Sequence, residues 1–398
     1  MANRLFLAMM ARVIRHGTLT LTLPDGSTHR FGDGSTPAVT ARITDPGLPG
    51  YILRNPEMAI GDGYMNGTLT FADDDLHSFL HLIILNGKRS DAPSLLRAVM
   101  AARKGVQVGR QWNTRLRSRR NVAQHYDLTP EFYALFLERE MQYTCAYFAT
   151  GTETLEQAQA AKIAHIAAKL RLRPGLRVLD IGCGWGGLCL ALARDHGVHA
   201  TGITLSHSQR DAAEARARVE GLSDRVSFRL QDYRAVPDSF DRIVSVGMME
   251  HVGTPHYGAY FTGIARMLAP DGVALIHSIG RSSPPADLSP WFQTYIFPGG
   301  YVPALSEVVP HIERSGLILA DLEVWRGHYD RTLRHWQTRF DANLPRVRAL
   351  YDERFVRMWR YYLVSAELSF SLLHQVVFQM QLTNSHAAVP LTRDYLYP

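Results

Sequence analysis

The chain has 398 residues, a formal net charge of +6 at pH 7 and a hydrophobic content of 46%. It is longer than one typical domain, so two domains are expected, and the basic balance favours a partner that carries phosphates, either nucleic acid or anionic lipid. Its three cysteines, Cys145, Cys183 and Cys189, form no C-x-x-C pair and no even set, which excludes a disulfide-stabilised secreted scaffold and predicts a cytoplasmic protein.

The first part of the chain, residues 1–105, predicts a small α+β domain. A short apolar run over residues 5–11 predicts an amphipathic helix, because it is too brief for the core of a signal peptide. Short alternating stretches between residues 17 and 71 predict strands and tight turns, and residues 75–85 and 92–102 predict helices. No run reaches the about 18 apolar residues that a spanning helix needs, so any membrane contact is expected to be peripheral.

A strongly basic segment follows this domain. Residues 97–120 carry eight Lys or Arg and no Asp or Glu. A solvated linker, a surface that docks on anionic lipid and a nucleic-acid contact all fit this charge, but no nucleic-acid motif accompanies it. We therefore predict a basic linker over residues 106–120, favour lipid as its partner and expect no nucleic acid. A second domain is predicted over residues 121–398. The eight basic residues are Arg97, Arg103, Lys104, Arg110, Arg115, Arg117, Arg119 and Arg120.

The second domain alternates strands with helices, which predicts an α/β fold with a parallel sheet covered by helices on both faces. Beyond residue 330 we expect long aromatic-rich helices that end near residue 383. The predicted elements before that point are a helix at 153–170, a strand at 177–181, a helix at 188–196, a strand at 200–205, a helix at 208–220, strands at 226–230 and 242–246, a helix at 257–268 and a strand at 272–278.

A glycine-rich turn joins the first strand of this domain to the next helix. Residues 178–187 read V-L-D-I-G-C-G-W-G-G. Glycines let the chain turn sharply and let a ligand approach the backbone closely. The D-x-G-x-G-x-G pattern resembles the cofactor loop of S-adenosylmethionine methyltransferases more than the G-x-G-x-x-G loop of dinucleotide binders. It predicts cofactor contacts at Asp180, Gly182, Gly184 and Gly186.

Polar residues that follow the next two strands are the remaining candidates for contact with the cofactor. No acidic residue follows the second strand to hold ribose hydroxyls, so Thr204 and Gln209 are the candidates for that role. The third strand is followed by Asp232 and Tyr233, where a neighbour of adenine is expected. Tyr233 by itself fits core packing as well.

Four further groups of sequence segments indicate the subfamily of the enzyme. The groups contain aromatic and titratable residues. They are N-V-A-Q-H-Y-D-L at 121–128 with Y-T-C-A-Y-F at 143–148, R-I-V-S-V-G-M-M-E-H-V-G at 242–253, H-S-I-G at 277–280 with Y-I-F-P-G-G at 295–300, and H-Y-D-R-T-L at 328–333.

Together these segments resemble the cyclopropane-fatty-acyl-phospholipid synthase family, whose members include enzymes like the mycolic acid cyclopropane synthases. The resemblance covers residues 115–383, and the N-terminal region resembles the additional domain of the longer bacterial members more loosely. It implies a Rossmann-like class I methyltransferase fold with a mostly parallel seven-stranded sheet. It also implies that the small N-terminal α+β domain associates with lipid.

The resemblance also implies the reaction. A methylene group passes from S-adenosylmethionine to the cis double bond of an unsaturated phospholipid acyl chain through a carbocation, with bicarbonate as the base. The bicarbonate contacts carried over from the family are Cys145, Glu250, His277, the main chain of Ile279, and Tyr329. The cofactor contacts carried over are Tyr143, Thr144, Gly182, Gly184, Thr204, Gln209, Asp232 and Tyr233.

Several alternatives remain open. Taken singly, His277 fits a core histidine, Cys145 a buried filler and Glu250 the start of a helix. A methyltransferase of the same fold that gives methyl- or methylene-branched chains, a lipid-binding protein without catalysis, and a methyltransferase for a soluble small molecule are the competing functions. The complete set of site residues favours catalysis, and the basic segment favours a lipid substrate.

The family further implies a homodimer. With the basic segment, it predicts a cytoplasmic protein held peripherally on the inner face of the membrane. We expect no metal.

Overall fold

The computed structural model describes residues 2–89 and 128–397. These residues form two compact units. The predicted helix at 92–102, the basic segment at 97–120 and most of the motif at 121–128 lie outside the described residues, and so do both predicted boundaries of the linker. The first unit comprises residues 2–89, 289–296 and 336–373, and the second comprises residues 128–288, 297–335 and 374–397.

The helices and strands are named here in chain order over the described residues. They are α1 (Ala2–Val13), β1 (Thr18–Thr22), β2 (Thr28–Gly32), β3 (Ala38–Ile43), α2 (Leu48–Arg54), α3 (Pro56–Met65), β4 (Leu69–Phe71), α4 (Leu76–Arg89), α5 (Pro130–Tyr133), α6 (Leu155–Lys169), β5 (Arg177–Ile181), α7 (Gly187–His196), β6 (His199–Thr204), α8 (His207–Val219), β7 (Val226–Leu230), β8 (Phe240–Val246), α9 (Tyr257–Met267), β9 (Leu268–Arg281), α10 (Pro290–Tyr295), α11 (Leu305–Ser315), β10 (Ile318–Trp325), α12 (Tyr329–Ala342), α13 (Leu344–Leu350), α14 (Glu353–Ser371) and β11 (Gln375–Thr383).

The first unit contains a four-stranded sheet in the order β2-β1-β3-β4. The T-L-T-L-T sequence of β1 buries Leu19 and Leu21 on one face, as its alternation predicts. The predicted helices at the start of the chain and at 75–85 are confirmed as α1 and α4.

Two later segments of the chain also belong to the first unit. Helix α14 packs on α3 and α4, and the short α10 packs on α3. Gly61 of α3 makes room for the ring of Trp291, because a Cβ there would lie 2.4 Å from that ring. The sequence places residues 336–373 in the second domain, whereas in the structure they pack with N-terminal elements.

The second unit is built on a seven-stranded sheet in the order β10-β11-β9-β8-β5-β6-β7. Strands β9, β8, β5, β6 and β7 are parallel to one another. Strand β11 pairs antiparallel with both β9 and β10, so β10 runs in the same direction as the five parallel strands. The predicted mostly parallel sheet is therefore confirmed. Strand β5 lies between β8 and β6, so the chain reverses its direction of winding beside the glycine loop, where α/β sheets bind ligands.

The expectation of helices as far as residue 383 is wrong at its end. Residues 375–383 form β11, the central antiparallel strand between β9 and β10. The strand is buried on both faces over nearly its whole length, so it lacks the polar and apolar alternation that reveals a half-buried strand. Strand β10 is also absent from the sequence prediction.

Helix α6 begins where the sequence predicts, after a capping box. Thr154 accepts a hydrogen bond from the Gln157 backbone, and the Gln157 side chain accepts one from the Thr154 backbone. Among residues 2–89 and 128–397, no helix is long and apolar enough to cross a membrane.

Candidate active site

A cavity opens in the second unit at the carboxyl ends of β5, β6, β7 and β8. Residues from each of these strand ends line it, together with the 141–144 segment. Of the predicted cofactor contacts, Gly186 alone is outside the lining. The others that line the cavity are Tyr143, Thr144, Asp180, Gly182, Gly184, Thr204, Gln209, Asp232 and Tyr233.

The glycines of the loop serve different purposes. Gly184 has a φ of +53°, and a Cβ placed on it would meet nothing within 4 Å, so this position leaves the cavity open. Gly186 has a φ of +81°, and a Cβ there would lie 2.6 Å from the Phe228 ring and 2.8 Å from Ala213. Gly186 thus permits close packing behind the loop rather than a direct contact with the cavity.

The predicted ribose side of the cavity is organised by the start of α8. The Thr204 hydroxyl donates to Gln209 Oε1 over 2.8 Å, and both side chains are buried. The Ser206 side chain caps the helix by accepting from the Gln209 backbone. The Thr204–Gln209 hydrogen bond and the Ser206 cap therefore fix the two residues that are predicted to take the place of a carboxylate.

The Asp232 carboxylate is held by its neighbour Arg234. Arg234 Nη2 lies 2.6 Å from Asp232 Oδ2, and Arg234 Nε lies 2.9 Å from Oδ1. Both residues line the cavity. Tyr233 lines it as well and packs edge-on against Tyr260, with 5.4 Å between ring centroids, so its cofactor and packing interpretations are compatible.

Asp180 lies at the base of the cavity. Its carboxylate accepts a hydrogen bond from the Cys189 thiol over 3.5 Å. Burial raises the pKa of Asp180 to about 7.

Lys162 is a fully buried cation that the sequence reasoning missed. Its Nζ donates to Gln142 Oε1 over 2.5 Å and to Thr144 Oγ1 over 3.0 Å, and both partners line the cavity. Burial lowers the pKa of Lys162 to about 8, and the Glu138 carboxylate opposes that shift. The signal in the sequence is a lysine within the apolar stretch A-A-K-I-A of α6.

The predicted bicarbonate contacts begin on a short turn after β8. Glu250 lies in the Met249–His251 turn, and its Oε1 accepts a hydrogen bond from the Ile279 backbone over 2.6 Å. Its buried Oε2 has no hydrogen-bond partner within the described part of the chain. Burial raises the pKa of Glu250 to about 7. The structure therefore joins two of the predicted residues directly.

His277 lies two residues before Ile279 on β9, so the two residues share one face of the sheet. Its Nδ1 lies 3.1 Å from Gln379 Nε2, and its ring meets Trp325 edge-on, with 5.1 Å between centroids. Burial lowers the pKa of His277 well below its usual value. The ring is neutral at pH 7.

Cys145 lies next to the residue that contacts the first turn of α12. Its thiol is fully buried and donates to Ala146 O over 3.3 Å, and burial raises the thiol pKa. The Ala146 backbone donates to Thr332 Oγ1 over 3.0 Å, in the first turn of the helix that begins at Tyr329. The motifs at 143–148 and 328–333 therefore contact each other.

A stack of rings reinforces that contact. The Tyr147 ring lies between the rings of His165 and His328, at centroid distances of 4.7 and 5.0 Å. Trp325 lies 5.3 Å from His328 and also meets His277. The aromatic residues thus connect the segment that carries Tyr329 with the strand that carries His277.

The short turn Met249–His251 contributes one residue to the cofactor cavity and the preceding residue to the predicted bicarbonate site. His251 lines the cavity, whereas the adjacent Glu250 faces Ile279. Sequence reasoning missed His251 as a lining residue, and it also missed Trp185 and Met248. Each of these three residues lies within a motif given above, but the sequence did not predict a role for it.

The donor set suits a small oxyanion. The neutral ring of His277 is able to donate one hydrogen bond, and the carboxyl group of Glu250, with one buried unpaired oxygen, is able to accept a proton. The cavity, with its open glycine and its Thr204–Gln209 pair, suits an adenosyl amino acid. Both predicted ligands therefore fit the residues present.

Two family models match the chain. One, described as mycolic acid cyclopropane synthetase, matches residues 113–380. The other, described as a domain of unknown function, matches residues 6–88.

Curated relatives extend over most of the chain. The cyclopropane-fatty-acyl-phospholipid synthase of Escherichia coli (strain K12) is 37% identical over 358 residues, which cover 88% of this chain and 90% of that protein. The tuberculostearic acid methyltransferase UfaA1 of Mycobacterium tuberculosis is 32% identical over 398 residues, which cover 96% of this chain and 90% of that protein.

A solved structure matches about two thirds of the chain. The mycolic acid cyclopropane synthase CmaA1, complexed with SAH and CTAB, is similar with a TM-score of 0.63 and 31% identity. The match covers 66% of this chain and 97% of that structure.

Proposed function

This chain belongs to the mycolic acid cyclopropane synthetase family, and from that premise we propose that it is a cyclopropane-fatty-acyl-phospholipid synthase. It is an S-adenosylmethionine-dependent enzyme. It adds a methylene bridge across the cis double bond of an unsaturated phospholipid acyl chain. The observation that carries the proposal is the Glu250–Ile279 pair beside His277, one turn away from a cavity lined by the D-x-G-x-G loop.

The chemistry divides between the two neighbouring sites. S-adenosylmethionine supplies an electrophilic methyl group to the double bond, and bicarbonate supplies the base that removes a proton from the added carbon so that the ring closes. Gly184 leaves the space for the cofactor. Thr204 and Gln209 hold its ribose hydroxyls, and Tyr143 and Thr144 close the side of the cavity that Lys162 supports.

Three side chains hold and polarise the base. Glu250, whose pKa is about 7, accepts a proton or a hydrogen bond from the oxyanion at neutral pH. His277 and Tyr329 donate hydrogen bonds to it, which leaves its remaining oxygen to take the proton from the lipid. Because Glu250 and the oxyanion share a proton, the site holds an anion without bringing two negative charges together.

Cys145 is a donor and a shaping residue rather than a nucleophile. Burial raises the pKa of its thiol, so the reactive thiolate is absent at neutral pH. Ring closure requires no acyl-enzyme, so a nucleophile has no step to perform. The surrounding rings of Tyr147 and Trp325 exclude water, which otherwise captures a carbocation.

The test uses the whole chain. Vesicles of phospholipid with cis-unsaturated chains are incubated with S-adenosylmethionine, and fatty-acid methyl esters are analysed by mass spectrometry. The expected product gains the mass of one CH2 group and resists ozone. An unchanged fatty-acid profile, with cofactor binding verified by calorimetry, contradicts the proposal.

A second candidate is a methyltransferase that gives methyl- or methylene-branched chains. The similarity to the tuberculostearic acid methyltransferase over 96% of the chain favours it. A methylene-branched product gains the same CH2 mass but is cleaved by ozone, and a saturated methyl-branched product gains two further hydrogens from a reductant. The same assay therefore separates these products from a cyclopropane.

The site of action also belongs to the proposal. A homodimer works on the inner face of the membrane and contacts anionic lipid peripherally, with a basic linker at 106–120 between an N-terminal domain at 1–105 and a catalytic domain that begins at residue 121. The net charge of +6 and the uninterrupted basic segment support this arrangement.

A further inference from the structure

We propose that Gln379 is a positioning residue that fixes the tautomer of His277, so that the ring presents its Nε2–H to the bound oxyanion. The inference rests on the proposed function, in which His277 donates a hydrogen bond to the base. Gln379 lies outside every motif that the sequence analysis identified.

The sheet register brings the two side chains together. Strands β9 and β11 are antiparallel, and Gln379 stands directly opposite His277. Directly opposed residues project from the same face and touch across the strands. Gln379 Nε2 lies 3.1 Å from His277 Nδ1, and both side chains are buried.

This contact determines which ring nitrogen carries the proton. The imidazole is neutral, so it holds one N–H and one lone pair. The Gln379 amide donates to Nδ1, which therefore carries the lone pair and leaves the proton on Nε2. The opposite tautomer presents a lone pair to an anion and repels it.

Burial is the main reason that the His277 ring stays neutral, because it lowers the pKa of the ring, and the nearby positive charges add to this effect. The ammonium groups of Lys162 and Lys169 and the ring of His165 disfavour a second proton, and the Glu323 carboxylate opposes them. Lys169 and His165 both bond to Glu323, over 2.5 and 2.7 Å. Because the ring carries a single proton, the nitrogen that holds this proton decides whether His277 donates a hydrogen bond to the oxyanion.

The Gln379 side chain is buried at a position where an apolar residue leaves no polar atom without a partner. Its Oε1 is buried and lacks a partner within the described part of the chain, which is unfavourable in a protein core. Gln381, two residues along the same face, is different: its Nε2 donates to Lys169 O and its Oε1 accepts from Tyr395. Both polar atoms of the Gln381 side chain have partners, whereas within residues 2–89 and 128–397 the Gln379 side chain has a single hydrogen-bond contact, with His277.

The experiment compares full-length Gln379→Leu, Gln379→Glu and the matched control Gln381→Leu. The first readout is the ring-nitrogen NMR of ¹⁵N-histidine-labelled protein, with the His277 signals identified by their loss in His277→Ala. The other readouts are the kcat and KM for unsaturated phospholipid vesicles, the calorimetric affinity for S-adenosylmethionine and the Tm.

We expect the wild-type proton on Nε2. Gln379→Glu moves it to Nδ1, because a carboxylate accepts from that nitrogen. Gln379→Leu lowers kcat by about 10- to 100-fold, the scale for an orienting partner of a histidine ligand, with unchanged cofactor affinity and an equal or higher Tm. Gln381→Leu keeps the tautomer and kcat but lowers the Tm.

A wild-type proton on Nδ1, an unmoved tautomer in Gln379→Glu, or an unchanged kcat in Gln379→Leu overturns the inference. Failure of the proposed function is recognised separately, as a wild-type enzyme that forms no cyclopropane. The NMR readout on the resting protein is independent of that result.

Discussion

Glu250 owes its chemistry to its surroundings. The side chain is buried, one oxygen is bonded to the Ile279 backbone, and the other has no partner among the described residues. Burial without a neighbouring cation disfavours the carboxylate and raises its pKa to about 7. A carboxyl group in this condition is poised to exchange a proton near neutral pH, which is the property that the proposed base requires.

The first prediction concerns turnover. Glu250→Gln and His277→Ala are each expected to lower kcat by about 10²-fold or more, because each removes a group that holds or polarises the base. Calorimetric affinity for S-adenosylmethionine stays close to wild type, since neither side chain lines the cofactor cavity. Near-normal turnover of both variants, in bicarbonate-free and in bicarbonate-supplemented buffer, contradicts the assignment.

The same carboxyl group predicts how stability depends on pH. The pKa of Glu250 is higher in the folded chain than the usual value of 4.5, so the folded state binds the extra proton. Its contribution to the free energy of unfolding is complete below pH 4.5 and is lost as the pH rises through 7, by up to about 3 kcal/mol. Glu250→Gln lacks this loss, so its Tm relative to wild type rises between pH 5 and pH 8. A constant difference in Tm over that range contradicts the raised pKa.

Gly184 gives a prediction about the cofactor loop. Gly184→Val places a branched side chain in the open space at the cavity, so S-adenosylmethionine binding is expected to fall below detection by calorimetry. Gly175→Val is the matched control, because Gly175 also has a left-handed φ, of +85°, and also has nothing within 4 Å of its Cβ position. The control lies outside the cavity lining. Equal affinity of the two variants contradicts the assigned loop.

At the scale of elements, the sequence predicted the five adjacent parallel strands of the sheet and missed β10 and the antiparallel β11. Strand β5 is a short, largely apolar run, and Gly182, Gly184 and Gly186 after it have positive φ, as a tight turn requires. Strand β11 is buried on both faces, so its pattern also fits a buried helix.

The site shows the same division between what a motif marks and what the fold brings together. Glu250, His277 and Cys145 stand in motifs that the resemblance identifies. Lys162 and Gln379 reach the site through a helix face and a strand register. The apolar stretch around Lys162 marks it as a buried lysine but does not indicate its partners. The two residues were not predicted because each depends on a partner that is distant in the sequence.

Lys162, on helix α6, allows a test of a residue of this kind. Lys162→Met keeps the length and apolar stem of the side chain but removes the bonds to Gln142 and Thr144. Hydrogen bonds to charged groups contribute about 1.5–3 kcal/mol, so affinity for S-adenosylmethionine is expected to fall by about 10-fold or more as the cavity wall loosens.

The control for this variant is on the same helix. Lys169 is also fully buried, but its ammonium bonds to Glu323, which is not a lining residue of the cavity. Lys169→Met is therefore expected to lower the Tm with little change in cofactor affinity. Equal cofactor affinity of Lys162→Met and the wild type means that Lys162 has no part in the cofactor site.

For the whole molecule, the two structural units are not the two consecutive parts of the chain that the sequence predicts. Residues 289–296 and 336–373 leave the region of the catalytic motifs and join the N-terminal unit, where Trp291, Trp359 and Leu363 are buried. Removal of the first hundred residues therefore exposes the apolar faces of α10 and α14 as well. The N-terminal unit is built from parts of the chain that lie on both sides of the cofactor loop.

The last prediction concerns how the enzyme reaches its substrate. The eight basic residues of the 97–120 segment lie outside the described part of the chain, and their charge alone supports contact with anionic lipid. Replacement of Arg115, Arg117, Arg119 and Arg120 by Gln is expected to weaken binding to anionic vesicles by up to a few kcal/mol, at ~1 kcal/mol per residue. Added salt should have the same effect on the wild type, because it screens exposed charges.

A second quadruple variant separates a local effect from one of total charge. Neutralisation of the exposed Arg139, Arg171, Arg173 and Arg225 lowers the net charge by the same amount, from +6 to +2 since four positive charges are lost, but leaves the basic segment intact. Vesicle co-sedimentation and a melting curve on the same preparations then distinguish the explanations. If the segment instead pairs with acidic residues of the protein, its variant keeps vesicle binding and loses thermal stability. Equal loss of binding in both quadruple variants assigns the attraction to net charge alone.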